Sequence, residues 1–146
     1  GARIPDLTQE QKTTSAAALW TLRGDAGQRA LLGWHMGWKP AREASGERWL
    51  VPYLGQLLED PYSAVRYIAR RSLRALPGFA DFDCDYIAPA ADRARARLSI
   101  WAKWEQAQKP DRTGPEVLIR SDGQMERQAW DRLLSQRDDK SMYLQE

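Results

Sequence analysis

A chain of 146 residues with 42% hydrophobic and 29% charged side chains is long enough to bury one ordinary core without disulfides or metal. A formal net charge of only +2 excludes a globally basic field, and a single cysteine, Cys84, excludes an internal disulfide and a CxxC zinc or redox site. No apolar run approaches the roughly 20 residues that a membrane-spanning helix needs.

The basic residues are mostly Arg, which suits fixed ion pairs better than Lys does, and seven Trp is a heavy load. No signal-peptide pattern stands at the front. The opening Gly1-Ala2-Arg3 reads as the start of a cut piece, with the expectation that the native chain continues upstream.

The first expected helix spans 9–23. Thr8 and Gln11 have capping-box spacing, and Ala17, Ala18, Leu19, Trp20 and Leu22 fall on its later turns. Gly24 ends it, and Asp25 with Gln28 restarts the same cap pattern. A second helix follows over 26–37 with Leu31, Leu32, Trp34 and Met36. Lys39-Pro40 and Ala44-Ser45-Gly46 mark a loop. The third helix, 47–58, carries Leu50, Val51, Leu54, Leu57 and Leu58, with Pro52 tolerated near its first turn.

Asp60 then reads as an N-cap with Pro61 at the first helical position. Val65, Ile68, Ala69, Ser72, Leu73 and Leu76 recur on one face of the helix that follows, and Pro77-Gly78 stops it. An acidic turn, "ADFDCDY", leads to a fifth helix over 91–108 with Leu98, Ile100, Trp101 and Trp104. After the polar "KPDRTGPE" comes a short extended "VLI". Ser121 with Gln124 repeats the capping-box spacing, and a last helix with Met125, Ala129, Trp130, Leu133 and Leu134 runs to about 136.

Stacked antiparallel pairs explain the short turns between the first two helices and between the third and fourth. "VPYLGQLLEDPYSAVRYIARRSL" has the pattern of a HEAT repeat: an apolar helix, an Asp-Pro turn, then Val-Arg and an Ala-Leu spacing. Pairs of this kind expose an apolar edge and stack, in repeats of about 40–47 residues. The expected fold is therefore all-α: one HEAT-like α-solenoid fragment over 1–146, of about three antiparallel helix pairs. Residues 1–79 would form the repeat-like pairs and 80–146 an irregular C-terminal cap.

"LWTLRGDAGQRALLGWHMGW", "AREASGERW" and "DPYSAVRYIARRSLRALPGF" together resemble the C-terminal HEAT-like region of large bacterial multihaem c-type cytochrome proteins. The resemblance covers roughly 19–79 and, more loosely, the closing "LLSQRDDKSMYLQE". It implies a companion domain upstream that carries haem, and an exported, periplasmic setting. The chain departs from the cytochrome part in lacking any CxxCH, so it attaches no c-type haem itself, and no site residue is carried over.

His35 and Met36 in "GWHMGW" are possible haem ligands by type, but neighbours on a helix point about 100° apart and cannot flank one haem. A lone histidine leaves zinc or a Ser-His triad without support. Asp81, Asp83 and Asp85 resemble the start of a calcium loop. Tyr86 stands where that loop needs Gly, so a solvated turn is the better reading. The same carboxylates disfavour a Cys84 thiolate.

Arg66, Arg70 and Arg74 recur every fourth residue, with Arg71 close by and Arg93 and Arg97 repeating the spacing. As a ridge they would track phosphates, the reading of a nucleic-acid-binding protein of the HEAT-like DNA glycosylase type. Twenty acidic residues weigh against it, and Arg66 has a structural use in pairing with an Asp of the inter-helix turn. Most Trp residues fall on apolar faces, whereas Trp38 and Trp49 lie near loops and are the better contact candidates. The candidate interaction surface is thus Trp38, Trp49, Arg66, Arg70 and Arg74. With no catalytic, cofactor or metal set recognisable by spacing, the expected function is a non-catalytic docking or scaffold module. Its expected partner is protein, an upstream domain of the same parent chain.

Overall fold

The computed structural model describes residues 14–107 and 111–137. Among them the chain is all-α: seven α-helices, one 3-10 turn and no strand. Helix α1 spans Ala16–Arg23 and is capped by Ser15, whose Oγ accepts from the Ala18 amide at 3.2 Å. The expected Thr8–Gln11 box lies outside the described residues, and 14–15 are non-helical, so the expected helix over 9–23 does not run unbroken through them. Gly24 is required at the end of α1, because a Cβ there would sit 2.4 Å from the Trp20 carbonyl oxygen.

Helix α2, Ala26–Gly37, has the reciprocal box that the spacing predicts. The Gln28 amide donates to Asp25 Oδ1 at 2.8 Å, and the Asp25 amide donates to Gln28 Oε1 at 3.0 Å. The expected loop after it is instead a short helix, α3, Lys39–Ser45. Pro40 sits in its first turn, where a missing N–H is harmless, and Lys39 faces Glu43 one turn on.

Helix α4, Leu50–Leu57, starts later than expected and is buried at every residue. Its entry is held from a distance: Asp111 Oδ2 accepts from the Glu47 and Arg48 amides, and Oδ1 from the Trp49 amide. Helix α5 is Ser63–Arg74 and helix α6 is Ala90–Gln106. Asp60 does not cap α5. Its carboxylate is bonded to Arg29 on α2, at 2.6 Å and 3.3 Å, and accepts from the Tyr62 amide at 3.0 Å.

"VLI" is no strand. It follows into a 3-10 turn, Pro115–Val117, with Leu118 at φ 60° and isolated bridges from Ile119 to Gly114 and Met125. The Ser121–Gln124 box does not form either. Asp122 takes the Gln124 amide, and the last helix, α7, begins only at Arg127 and ends at Ser135.

Helix α4 is the hub, touching α1, α2, α5 and α6. Helix α7 returns to pack on α1. The C-terminal half wraps α4 with aromatics whose polar tips are each bonded, as burial of such groups demands. Trp104 Nε1 donates to the Arg48 carbonyl, Trp101 Nε1 to Pro52, and Tyr53 Oη to Val117 at 2.5 Å. Trp130 lies 4.7 Å from Tyr53 and 5.0 Å from Trp101, ring centre to ring centre.

Helices α2 and α5 approach closely because α2 offers glycine. The Ser72 hydroxyl donates to the Gly33 carbonyl at 2.6 Å, and a Cβ at Gly37 would lie 2.4 Å from Ser72 Oγ. No helix among the described residues is long and apolar enough to cross a membrane.

Candidate docking surface

The α2 helix spends its inner stripe on Arg29, Leu32, Gly33 and Met36, all buried. Helical periodicity then forces Leu31, Trp34 and Trp38 onto the opposite side, where they are 57%, 51% and 47% exposed. The rings of Trp34 and Trp38 stack, 6.0 Å apart and inclined by 21°. His35, also exposed, leans on Trp38 at 5.7 Å.

Beside this row runs a groove of about 370 Å³. Trp34, Gly37 and Trp38 form one wall, and Tyr67, Ile68 and Arg71 of α5 form the other. Tyr67 is 46% exposed and held edge-on against Tyr86 at 5.3 Å, so it is presented as a rigid ring. Arg71 stands exposed at the rim. Two stacked indoles, a fixed phenol and a cation along one groove have the composition of a protein contact surface: rigid amphipathic rings with a polar edge.

Trp38 is exposed, as expected of it, but Trp49 is not. Trp49 is 3% exposed, packs edge-on to Tyr53, donates from Nε1 to the Ser45 carbonyl at 2.8 Å, and lies under the Arg112 guanidinium. The structure removes it from the contact surface and adds Leu31, Trp34 and Tyr67. The sequence names Leu31, Leu32, Trp34 and Met36 together on this helix; the signal that separates Leu31 and Trp34 from Leu32 and Met36 is their offset around it.

The arginines form no open ridge. Arg66 is 8% exposed and serves as an internal brace. Its Nε donates to the Tyr86 carbonyl at 2.6 Å and its Nη1 to the Asp60 carbonyl at 2.7 Å. The expected Arg–Asp link is therefore real in partner but goes to backbone oxygen, since Arg29 takes the carboxylate. Burial pulls the Arg66 guanidinium below its ordinary value and the nearby Arg93 adds to that, while Asp60 opposes it. Arg70 is three-quarters covered, 4.0 Å from Asp83. Only Arg74 of the three is exposed, and it bonds the Ala80 carbonyl. With Arg71 the only other exposed arginine of that helix, the open cations are too few to track a phosphate backbone.

In the acidic turn, Asp85 accepts from the Ile87 amide, and Asp83 is almost wholly solvated. Burial pushes the Cys84 thiol up; Arg70 works against this, and Asp83 and Asp85 reinforce it. No group of three or more His, Cys, Asp or Glu side chains converges among the described residues. Comparison with protein-family models, with curated proteins and with solved structures finds no match to this chain.

Proposed function

We propose that this chain is a non-catalytic docking module, a fragment of HEAT-like helix pairs that presents the outer side of α2 to another protein. The observation that carries the reading is the row Leu31, Trp34 and Trp38, about half exposed and continuous with Tyr67 across the groove. Holding three large apolar side chains half in water on one side of α2 forgoes about 1 kcal/mol of burial for each, half of what full burial would give. A covered surface recovers that; a free one does not.

The partner is an upstream domain of the same parent chain, and that assignment rests on the resemblance to the C-terminal HEAT-like region of multihaem c-type cytochrome proteins. In that setting haem chemistry belongs to the upstream segments, the location is exported, and this module positions or recruits. The first two helix pairs, α1/α2 and α4/α5, correspond to the repeat-like part of the resemblance.

The test is site-specific photo-crosslinking in the full parent chain. A photoreactive residue at Trp38 should crosslink to segments upstream of this module, whereas one at Leu98, more exposed than Trp38 but on α6, should not. Crosslinks from both positions in equal yield, or from neither, refute the proposed face.

A further inference from the structure

The docking groove has a hydrogen-bonding character that its shape alone does not reveal. The buried indoles of Trp49, Trp101, Trp104 and Trp130 each donate from Nε1 to an oxygen of the protein. The exposed indoles of Trp34 and Trp38 donate to nothing among the described residues, and neither does the Tyr67 hydroxyl across the groove. Arg71, exposed on the same wall as Tyr67, makes no hydrogen bond or ion pair among them either. Of the other lining side chains only Ser72 is polar, and its hydroxyl already donates to the Gly33 carbonyl. No carboxylate or side-chain amide lines the groove. Three aromatic rings with free donors and one full positive charge thus face a ligand, with no side-chain carbonyl or carboxylate beside them.

We infer that this groove holds a proline-rich segment in the polyproline II conformation, with an acidic residue of that segment against Arg71. The inference rests on the docking role proposed for α2 and names the chemistry of what docks there. Free donors call for a ligand whose acceptors are unpaired. A docked helix has already bonded its carbonyls internally. A strand alternates donors with acceptors and seeks a sheet edge, which the described residues lack. Polyproline II has no internal hydrogen bonds, so its carbonyls stay open, and each proline removes an N–H that this groove has no side chain to accept. Pyrrolidine rings pack on indole and phenol faces, and the segment arrives already ordered, so little conformational entropy is lost. A volume of about 370 Å³ sits at the small end of ligand sites, room for on the order of one polyproline turn of about three residues. The unpaired guanidinium of Arg71 sets the charge of the flanking residue, because a carboxylate accepts from it in charge-assisted bonds. Unstacked nucleic-acid bases also suit exposed rings, but a single cation beside them neutralises too little of the backbone.

The probe is a short peptide of about six prolines closed by a glutamate, titrated into the 146-residue chain. A peptide of the same length and charge built from glycine and serine is the reference. Binding is followed by the NMR shifts of the indole N–H signals. Those of Trp34 and Trp38 should move and saturate, while those of Trp49, Trp101, Trp104 and Trp130 stay. The proline peptide should bind at least about fivefold more tightly than the reference, the gain from a single backbone residue that needs no ordering. Tyr67→Phe and Trp34→Phe keep an aromatic ring and remove a donor. Each should weaken binding about two- to tenfold with an unchanged melting temperature. Arg71→Gln should weaken it about two- to fivefold, and only when the peptide carries its glutamate. A ratio below about fivefold, no saturable shift at Trp34 and Trp38, or full affinity in both donor-deleting variants overturns the assignment. So does a short single-stranded oligothymidine that moves the same signals at lower concentration than the peptide in about 150 mM salt. The docking reading fails separately. Trp38 crosslinks in the parent chain that map to a proline-free segment keep the face and overturn the polyproline assignment. Peptide binding without any upstream crosslink supports the chemistry of the groove and overturns the upstream partner alone.

Discussion

Arg29→Met is the sharpest test of how the first helix pair is tied to the second. Arg29 and Asp60 meet at 2.6 Å with both side chains 1% exposed, and Arg29 also donates to the Gly24 carbonyl at 2.7 Å. Removing the guanidinium leaves the Asp60 carboxylate buried with the Tyr62 amide as its remaining described donor. Breaking a buried ion pair from one side costs about 3–5 kcal/mol, against a total stability of about 5–15 kcal/mol for a domain. At an m-value of about 2 kcal/mol per molar urea, the unfolding midpoint should fall by about 1.5–2.5 M with m unchanged. The double variant Arg29→Met/Asp60→Asn removes the stranded charge while keeping an acceptor for Tyr62, so it should recover at least about 2 kcal/mol of the loss. The measurement is urea denaturation followed by far-UV circular dichroism. If Arg29→Met costs under about 1 kcal/mol, or the double variant is no more stable than the single, the pair is not the clamp described.

Trp49→Ala should cost about 3–5 kcal/mol in thermal unfolding and Trp38→Ala under about 1 kcal/mol; equal losses would contradict their assignment to core and surface. Gly37→Ala should destabilise by about 1–3 kcal/mol despite the better helix propensity of Ala, since the new Cβ would meet Ser72 Oγ at 2.4 Å and Ser72 Cα at 2.9 Å. An unchanged melting temperature would mean that α2 and α5 can part without cost. Burial pushes the Tyr53 hydroxyl far above its ordinary value, with only Arg112 opposing. A raised folded value stabilises the fold below pH about 10 and is lost as pH rises beyond it, because the unfolded tyrosine ionises there first. Tyr53→Phe, which strands the Val117 carbonyl, should therefore cost about 1–2 kcal/mol at pH 7 by urea unfolding. Its deficit relative to the parent should shrink above pH 10, and a constant deficit would show that Tyr53 ionises freely in the fold.

Of the local cap signals in the sequence, the Asp25–Gln28 box forms and the Ser121–Gln124 box does not, because Asp122 takes the Gln124 amide. The Asp25–Gln28 box lies within four residues, and the structure contains both of its bonds. The all-helical class follows from periodicity in the same way. Errors gather where a distant residue decides. Trp49 sits beside a loop in the sequence, and the groups that bury it include Arg112 and the carboxylate of Asp111. Asp60 has the right spacing to cap α5, but the buried Arg29 outcompetes an amide for its carboxylate. Trp34 carries the same hydrophobic weight as a core residue, and only the course of α5 beside it turns it into the wall of a groove. The arginine spacing was visible; that Arg66 points inward, to carbonyls of the 60–61 turn and Tyr86, was not.

The dependence of α4 on residues far downstream has a consequence for biosynthesis. Asp111 holds the entry of α4, and Val117, Trp101, Trp104 and Trp130 close around it, so this most apolar helix is finished by parts of the chain made well after it. Between the emergence of α4 and that of residues 101–130 this segment lacks its cap and its cover, and at roughly 5–20 residues per second that interval lasts several seconds. During it the nascent chain displays a contiguous greasy stretch from Leu50 to Leu58 that a chaperone would hold. A ribosome stalled before Asp111 would carry a chain that lacks the Asp111, Val117 and Trp130 contacts to α4, however complete its first two helix pairs.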